Sequence, residues 1–236
     1  MALDVDKAED AVRWVKVMMP LGITHFKVGL SLFTLAGPAA VEQVHQAGGK
    51  VFLDLKFYDI PNTVSKAVSA ALRLGVWMTN VHIQGGSAMM KSALTAAQGK
   101  ELLLIGVTVL TSMAEKDRVD LGLRKTLKDQ VLYLAKLAQS AGLHGIVASA
   151  QEAKEVRRTC GEKFLIVTPG IRPALKETPP RASAQRPKTA DDQQRTATPR
   201  EAIQAGADYL VVGRPILEAA DPSAVARQIL EECAKD

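Results

Sequence analysis

The 236-residue chain is expected to fold as an α/β protein, a (β/α)8 TIM barrel forming one domain over residues 1–236. Three observations predict this. Short β-rich runs alternate with longer stretches of helical periodicity, the pattern of repeated βα units around a parallel sheet. Eight such runs can be counted. The composition, 47% hydrophobic but only 4% aromatic with 17 Gly, suits one large aliphatic core better than two small ones.

The first predicted strand covers residues 2–5 and ends in Asp4. After it, Ala11, Val12, Val15 and Met18 fall on one face of a helix. The second strand, 25–28, carries Lys27 near its end, and the third, 51–55, leads into Asp54 and Lys56. The next helix shows an apolar stripe of Val64, Ala67, Val68, Ala71 and Leu72. These stripes read as core, not as cofactor-binding surfaces. The fourth strand, 79–82, ends in His82; the fifth, 102–107, precedes Thr108 and Thr111; the sixth covers 145–148. Thr168 to Arg172 follow the seventh, 164–168, and Gly213 and Arg214 follow the eighth, 209–212. Gly48, Gly49, Gly75, Gly142 and Gly206 sit where helices give way to strands. No internal repeat or domain linker stands out.

Several function classes are disfavoured. No run reaches the roughly 18 apolar residues of a membrane span, and the first residues lack a basic region followed by an apolar one, so a soluble, cytoplasmic protein is expected. Cys160 and Cys233 are far apart, which suits reduced structural thiols and argues against a disulfide framework or a zinc site. The net charge of +5 is dispersed rather than clustered with aromatics, so a small anionic substrate accounts for it as well as nucleic acid would. One stretch concentrates it: Arg181, Arg186, Lys188, Arg195 and Arg200 stand among Pro, Ser, Thr and Gln, reading as a flexible basic loop over about 173–199.

The suspicious polar residues collect at carboxyl ends of the predicted strands, where barrel active sites are assembled. Most informative is FLDLKFYDIPNT at 52–63. In an extended strand Asp54 and Lys56 share a face opposite Leu53 and Leu55, while Asp59 lies just beyond. An arbitrary D-x-K triplet is more often a solvated salt bridge; charges at the end of an apolar strand within this longer string point to chemistry. Loops after the last two strands of such barrels commonly cradle phosphate through backbone N–H groups, with Arg adding charge-assisted hydrogen bonds. Gly213 and Arg214 suit that position, although G-R-P by itself is an ordinary turn. Asp4 could equally be a helix N-cap, and Lys27 a solvated strand tip. No catalytic step is assigned to His82, and His25, His45 and His144 read as incidental.

Six segments together resemble the orotidine 5'-phosphate decarboxylase family over nearly the whole chain: ALD at 2–4, FKVG at 26–29, FLDLKFYDIPNT at 52–63, VTVLTS at 107–112, TPGIRP at 168–173 and VGRP at 212–215. The resemblance implies a TIM-barrel homodimer with no metal and no organic cofactor, acting on orotidine 5'-phosphate. It implies a charged tetrad of Lys27, Asp54, Lys56 and Asp59, with Asp59 and Thr63 reaching into the partner subunit's site. Carried further, it places Asp4, Lys27 and Asp59 near the ribose hydroxyls, Thr111 on the pyrimidine, and Arg172, Gln193, Gly213 and Arg214 on the phosphate side. The stretch 174–192 is longer and richer in Pro than the family pattern, so Gln194 and Gln185 remain alternatives to Gln193.

Loss of CO2 from C6 of the pyrimidine leaves an sp2 carbanion without an obvious electron sink. Lys56, flanked by Asp54 and Asp59, is expected to stabilise that charge and then supply the replacing proton. The competing reading is a magnesium-dependent 3-keto-gulonate 6-phosphate decarboxylase or hexulose phosphate synthase, which resembles this chain through D-x-K-x-x-D. The continuation IPNT and the segments LTS and PGIR argue against it. A barrel that only binds nucleotides or RNA leaves the charge chain unexplained.

Overall fold

Seven parallel strands form one sheet in sequence order, β1 to β7, in a computed structural model that describes residues 1–174 and 195–234. The strands are β1 (His25–Gly29), β2 (Lys50–Phe57), β3 (Met78–His82), β4 (Leu103–Val107), β5 (Gly145–Val147), β6 (Leu165–Thr168) and β7 (Tyr209–Leu210). The helices are α1 (Ala8–Met18), α2 (Leu30–Ala36), α3 (Pro38–Gln46), α4 (Pro61–Arg73), α5 (Gly86–Ala97), α6 (Glu115–Asp120), α7 (Leu127–Ala141), α8 (Ala150–Cys160), α9 (Pro199–Gln204), α10 (Arg214–Leu217) and α11 (Pro222–Cys233).

The predicted strand over 2–5 is not a strand of the sheet. Ala2 makes a single parallel bridge, to Lys27. The Leu3 N–H donates to the Lys27 carbonyl at 2.9 Å, and the Ala2 N–H donates to the Val212 carbonyl at 2.7 Å. The segment therefore touches both β1 and the residues just past β7. It departs from the ladder at Asp4, whose side chain turns toward Lys27 instead. The other seven predicted runs each overlap an observed strand, the last shortened to two residues.

Strand alternation divides the core in two. Val51 and Leu53 of β2 pack outward with Val64 and Val68 of α4 and with the other helix stripes. Phe52, Met78, Ile105 and Val167 form a separate inner cluster. In α1 the buried residues are Ala11, Val15 and Met18, and in α4 Val64, Val68 and Ala71, so the predicted stripes are core. Two residues beyond Phe52 on the inner face stands Asp54, and two beyond Met78 stands Asn80. An apolar inner layer thus gives way, one step along the strands, to a polar one.

Candidate active site

The ladder between β2 and β3 is irregular where the charged residues stand. Leu53 pairs with Thr79 and Phe57 with Val81, so β2 advances four residues while β3 advances two. Lys56 occupies the gap with φ +52°, the only described non-glycine residue in the left-handed region. Such a conformation costs on the order of 1–3 kcal/mol and persists only where its surroundings hold it. Here the Asn80 side chain does so: the Lys56 N–H donates to Asn80 Oδ1 at 2.8 Å. Regular alternation predicts a shared face for Asp54 and Lys56; the bulge also brings their tips into contact.

Asp54 is the hub. Lys56 Nζ donates to its Oδ1 at 2.7 Å, Asn80 Nδ2 donates to the same oxygen at 2.7 Å, and Lys27 Nζ lies 3.3 Å from Oδ2. Burial pushes this carboxyl up, but Lys27 and Lys56, with the hydrogen bonds from Lys56 and Asn80, outweigh it and hold it below the usual carboxylate range. Lys27 reaches Asp4 as well, at 3.5 Å. Asp4 is therefore no helix cap, and Lys27, with 15% of its side chain exposed, is no solvated tip. Two glycines make room: a Cβ on Gly29 would lie 3.0 Å from Lys27 Nζ, and one on Gly213 3.0 Å from Asp4 Oδ2.

Asp4, Lys27, Asp54, Lys56, Thr111, Arg172, Gly213 and Arg214 all line one cavity of about 270 Å³. Phe52, Val107, Val147, Val167 and Val211 supply its apolar wall, so a lysine–aspartate cluster faces a pocket suited to a flat, partly apolar ring with an anionic end. Asp59 and Thr63 are exposed and do not line it; Asp59 Oδ1 accepts the Ile60 N–H at 2.6 Å. Gln193, with Gln185, Gln194, Arg181, Arg186 and Lys188, lies outside the described residues. His82 is also absent from the lining; its ring packs 5.5 Å from that of Tyr58.

The chain on either side of residues 175–194 is tied together. Ile171 bridges to Ala197, and the Arg172 N–H donates to the Ala197 carbonyl at 2.9 Å. Arg195 reaches Glu152 of α8, which also accepts from Ser149 Oγ, and Arg195 Nη2 donates to the Leu110 carbonyl at 3.0 Å. Leu110 adjoins Thr111 in the cavity wall, so this pair joins three loops of the rim.

The family described as orotidine 5'-phosphate decarboxylase / HUMPS matches the chain over residues 1–229. The chain belongs to this family. It is 50% identical over 231 residues to the orotidine 5'-phosphate decarboxylase of Pseudoalteromonas translucida, covering 97% of this chain and 93% of that protein. With the enzyme of the same name from Wolbachia pipientis it shares 47% identity over 230 residues, covering 98% and 96%. The crystal structure of orotidine 5'-phosphate decarboxylase from Lactobacillus acidophilus superposes with a TM-score of 0.79 at 37% identity, covering 99% of this chain and 97% of that one. Membership agrees with the resemblance carried by the six sequence segments.

Sequence reasoning missed three residues of this site. Asn80 had a usable signal, since period-two alternation in 78–82 sets it on the same face as His82 and Met78. Ser149 and Glu152 had none that was specific, because an acid in the first turn of a helix is ordinary and its Arg195 partner lies 43 residues away.

Proposed function

We propose that this chain decarboxylates orotidine 5'-phosphate to uridine 5'-monophosphate in pyrimidine biosynthesis, with its own side chains and without a metal or organic cofactor. The observation that carries this reading is Asp54 held between Lys27 and Lys56 in a cavity that Arg172 and Arg214 also line. The pyrimidine lies against the apolar wall and Thr111, the ribose hydroxyls against Asp4 and Lys27, and the phosphate at Arg172, Gly213 and Arg214.

In that pose the substrate carboxylate approaches Asp54. Like charges there disfavour the ground state more than a transition state that is losing neutral CO2. The developing C6 carbanion meets the Lys56 ammonium, already fixed 2.7 Å from Asp54, so little reorganisation accompanies bond breaking. Lys56 then donates the proton that replaces CO2. Lys27 holds the second Asp54 oxygen and keeps the charges alternating.

We also propose a homodimer with shared sites, in which Asp59 and Thr63 complete the partner's cavity. Its support is their outward position beside exposed Tyr58 and Ile60, 59% and 67% exposed, with Leu30 and Leu35 exposed as well. The barrel reading is likewise a proposal: residues 2–4, bonded to β1 and Val212, stand as the eighth stave of a single catalytic domain. A cytoplasmic location, without membrane or nucleic-acid partners, suits a small anionic substrate. Among the described residues no helix is long and apolar enough to cross a membrane.

The magnesium-dependent sugar-phosphate enzymes need free carboxylates for the ion. Both Asp54 oxygens are engaged by lysines, and the other carboxylate lining the cavity, Asp4, contacts Lys27. The test is ultraviolet absorbance of orotidine 5'-phosphate mixed with the protein, with and without EDTA and with no magnesium added. Rapid conversion unaffected by EDTA supports the reading; no conversion, or conversion abolished by EDTA, overturns it.

A further inference from the structure

We propose that Asn80 is a positioning residue for the decarboxylation, setting the geometry of the Lys56–Asp54 pair from beneath the cavity. The proposal rests on the decarboxylase reading above. Asn80 is fully buried and does not line the cavity, so it does not touch the nucleotide. Its carboxamide is nevertheless committed at both ends to the reacting pair. Oδ1 accepts the Lys56 N–H, and Nδ2 donates to Asp54 Oδ1. The assignment of oxygen and nitrogen is forced, because an N–H faces one end and a carboxylate the other.

Each bond has a consequence for the proton donor. The register shift between β2 and β3 takes Lys56 out of regular pairing, and Asn80 accepts the N–H in place of a strand carbonyl. The positive φ of Lys56, and hence the direction in which its side chain leaves the strand, is held at this point. At the other end, Asp54 Oδ1 takes one hydrogen bond from Asn80 and one from Lys56 Nζ. The amide fixes the carboxylate's rotation, and the carboxylate fixes where a flexible four-carbon ammonium comes to rest. One buried side chain thus anchors Lys56 at both its backbone and its tip. Asn80 sits two residues beyond Met78 on the inner face, where apolar packing is the default, so a polar residue there marks a specific demand.

The test uses Asn80→Ala and Asn80→Leu in the full-length protein. Asn80→Leu keeps roughly the size of the side chain and loses both the acceptor for the Lys56 N–H and the donor to Asp54, so it separates hydrogen bonding from packing. Turnover of orotidine 5'-phosphate at saturation is measured beside the dissociation constant of uridine 5'-monophosphate. The expected result is a fall in kcat on the order of 10²-fold in both variants, with nucleotide affinity within about threefold of wild type. In Asn80→Ala the acid limb of the kcat profile moves to higher pH, because Asp54 loses one of the bonds favouring its ionised form. The proposal is overturned if kcat of Asn80→Leu stays within about threefold of wild type. It is equally overturned if kcat and nucleotide affinity fall together in both variants, which marks a structural role only. A wild-type protein that does not turn over orotidine 5'-phosphate in the same assay removes the decarboxylase reading itself; an active wild type with indifferent variants removes this inference alone.

Discussion

The two ends of the sheet contribute to the cavity on opposite plans. At the β1–β3 end, Lys27, Asp54 and Asn80 stand on neighbouring strands with Lys56 on a bulge between them, and hydrogen bonds and ion pairs of 2.7–3.3 Å join them. At the β4–β7 end, Thr111 and Arg172 stand on loops tied together through backbone pairing at Ala197 and the Arg195 contacts with Glu152 and Leu110, while Gly213 and Arg214 follow β7, Gly213 close to Asp4 and Arg214 opening α10. The difference teaches a division of labour. A group that stabilises charge in a transition state must already be in place, which strands and a buried network provide. A group that grips a phosphate gains from standing on loops, where backbone N–H groups and long cationic side chains can converge on an anion.

The largest expected effect comes from breaking the strand end. Lys56→Ala removes both the cation facing the carbanion and the proton donor, so turnover should fall by at least about 10⁴-fold while uridine 5'-monophosphate still binds. Paired measurements of kcat and nucleotide affinity check this, and substantial residual turnover would take the acid role from Lys56. The loop end should respond first in stability. Glu152→Ala leaves Arg195 buried with 11% of its side chain exposed and its charge unpaired, at a cost of roughly 3–5 kcal/mol read from denaturant unfolding. A loss under 1 kcal/mol would show that the rim does not depend on this pair.

Smaller and more selective is Arg214→Ala. Losing a charge-assisted contact should weaken uridine 5'-monophosphate roughly 10- to 100-fold and leave uridine almost unaffected. An equal effect on both ligands would move the phosphate elsewhere. The smallest effect is that of acid. Asp54 titrates below the usual carboxylate range when folded, so its contribution to stability is complete above an ordinary value of about 3.9 and is lost as pH falls through the lower folded value. Acid unfolding of Asp54→Asn should therefore be flatter than that of wild type below that pH; identical slopes would contradict the pairing.

The same contrast explains what the sequence made legible. The strand end was readable because Asp54 and Lys56 lie two residues apart in a run whose neighbours are apolar, and Lys27 stands in an equally apolar strand. Local periodicity was enough to assign their face. It could not show the bulge, since nothing in 52–57 marks Lys56 for a positive φ, and although it sets Asn80 on the inner face it could not show the partners of Asn80, which come from a neighbouring strand. At the loop end Arg172 and Arg214 could be placed by following strands six and seven of the sheet, but the contacts of Arg195 with Glu152 and Leu110 depend on three segments meeting in space. The expected strand at 2–5 failed for a similar reason: an apolar pair followed by Asp4 supports one bridge, and the aspartate is drawn to Lys27 instead of the ladder.

The most direct test of the division between the two ends is a single-turnover comparison of Lys56→Ala and Arg214→Ala on orotidine 5'-phosphate, with the rate at saturating enzyme and the dissociation constant taken from the same titration. The account predicts opposite patterns: Lys56→Ala loses the saturated rate and keeps the affinity, whereas Arg214→Ala loses affinity by a larger factor than it loses rate. Equal losses of rate and affinity in both variants would contradict it.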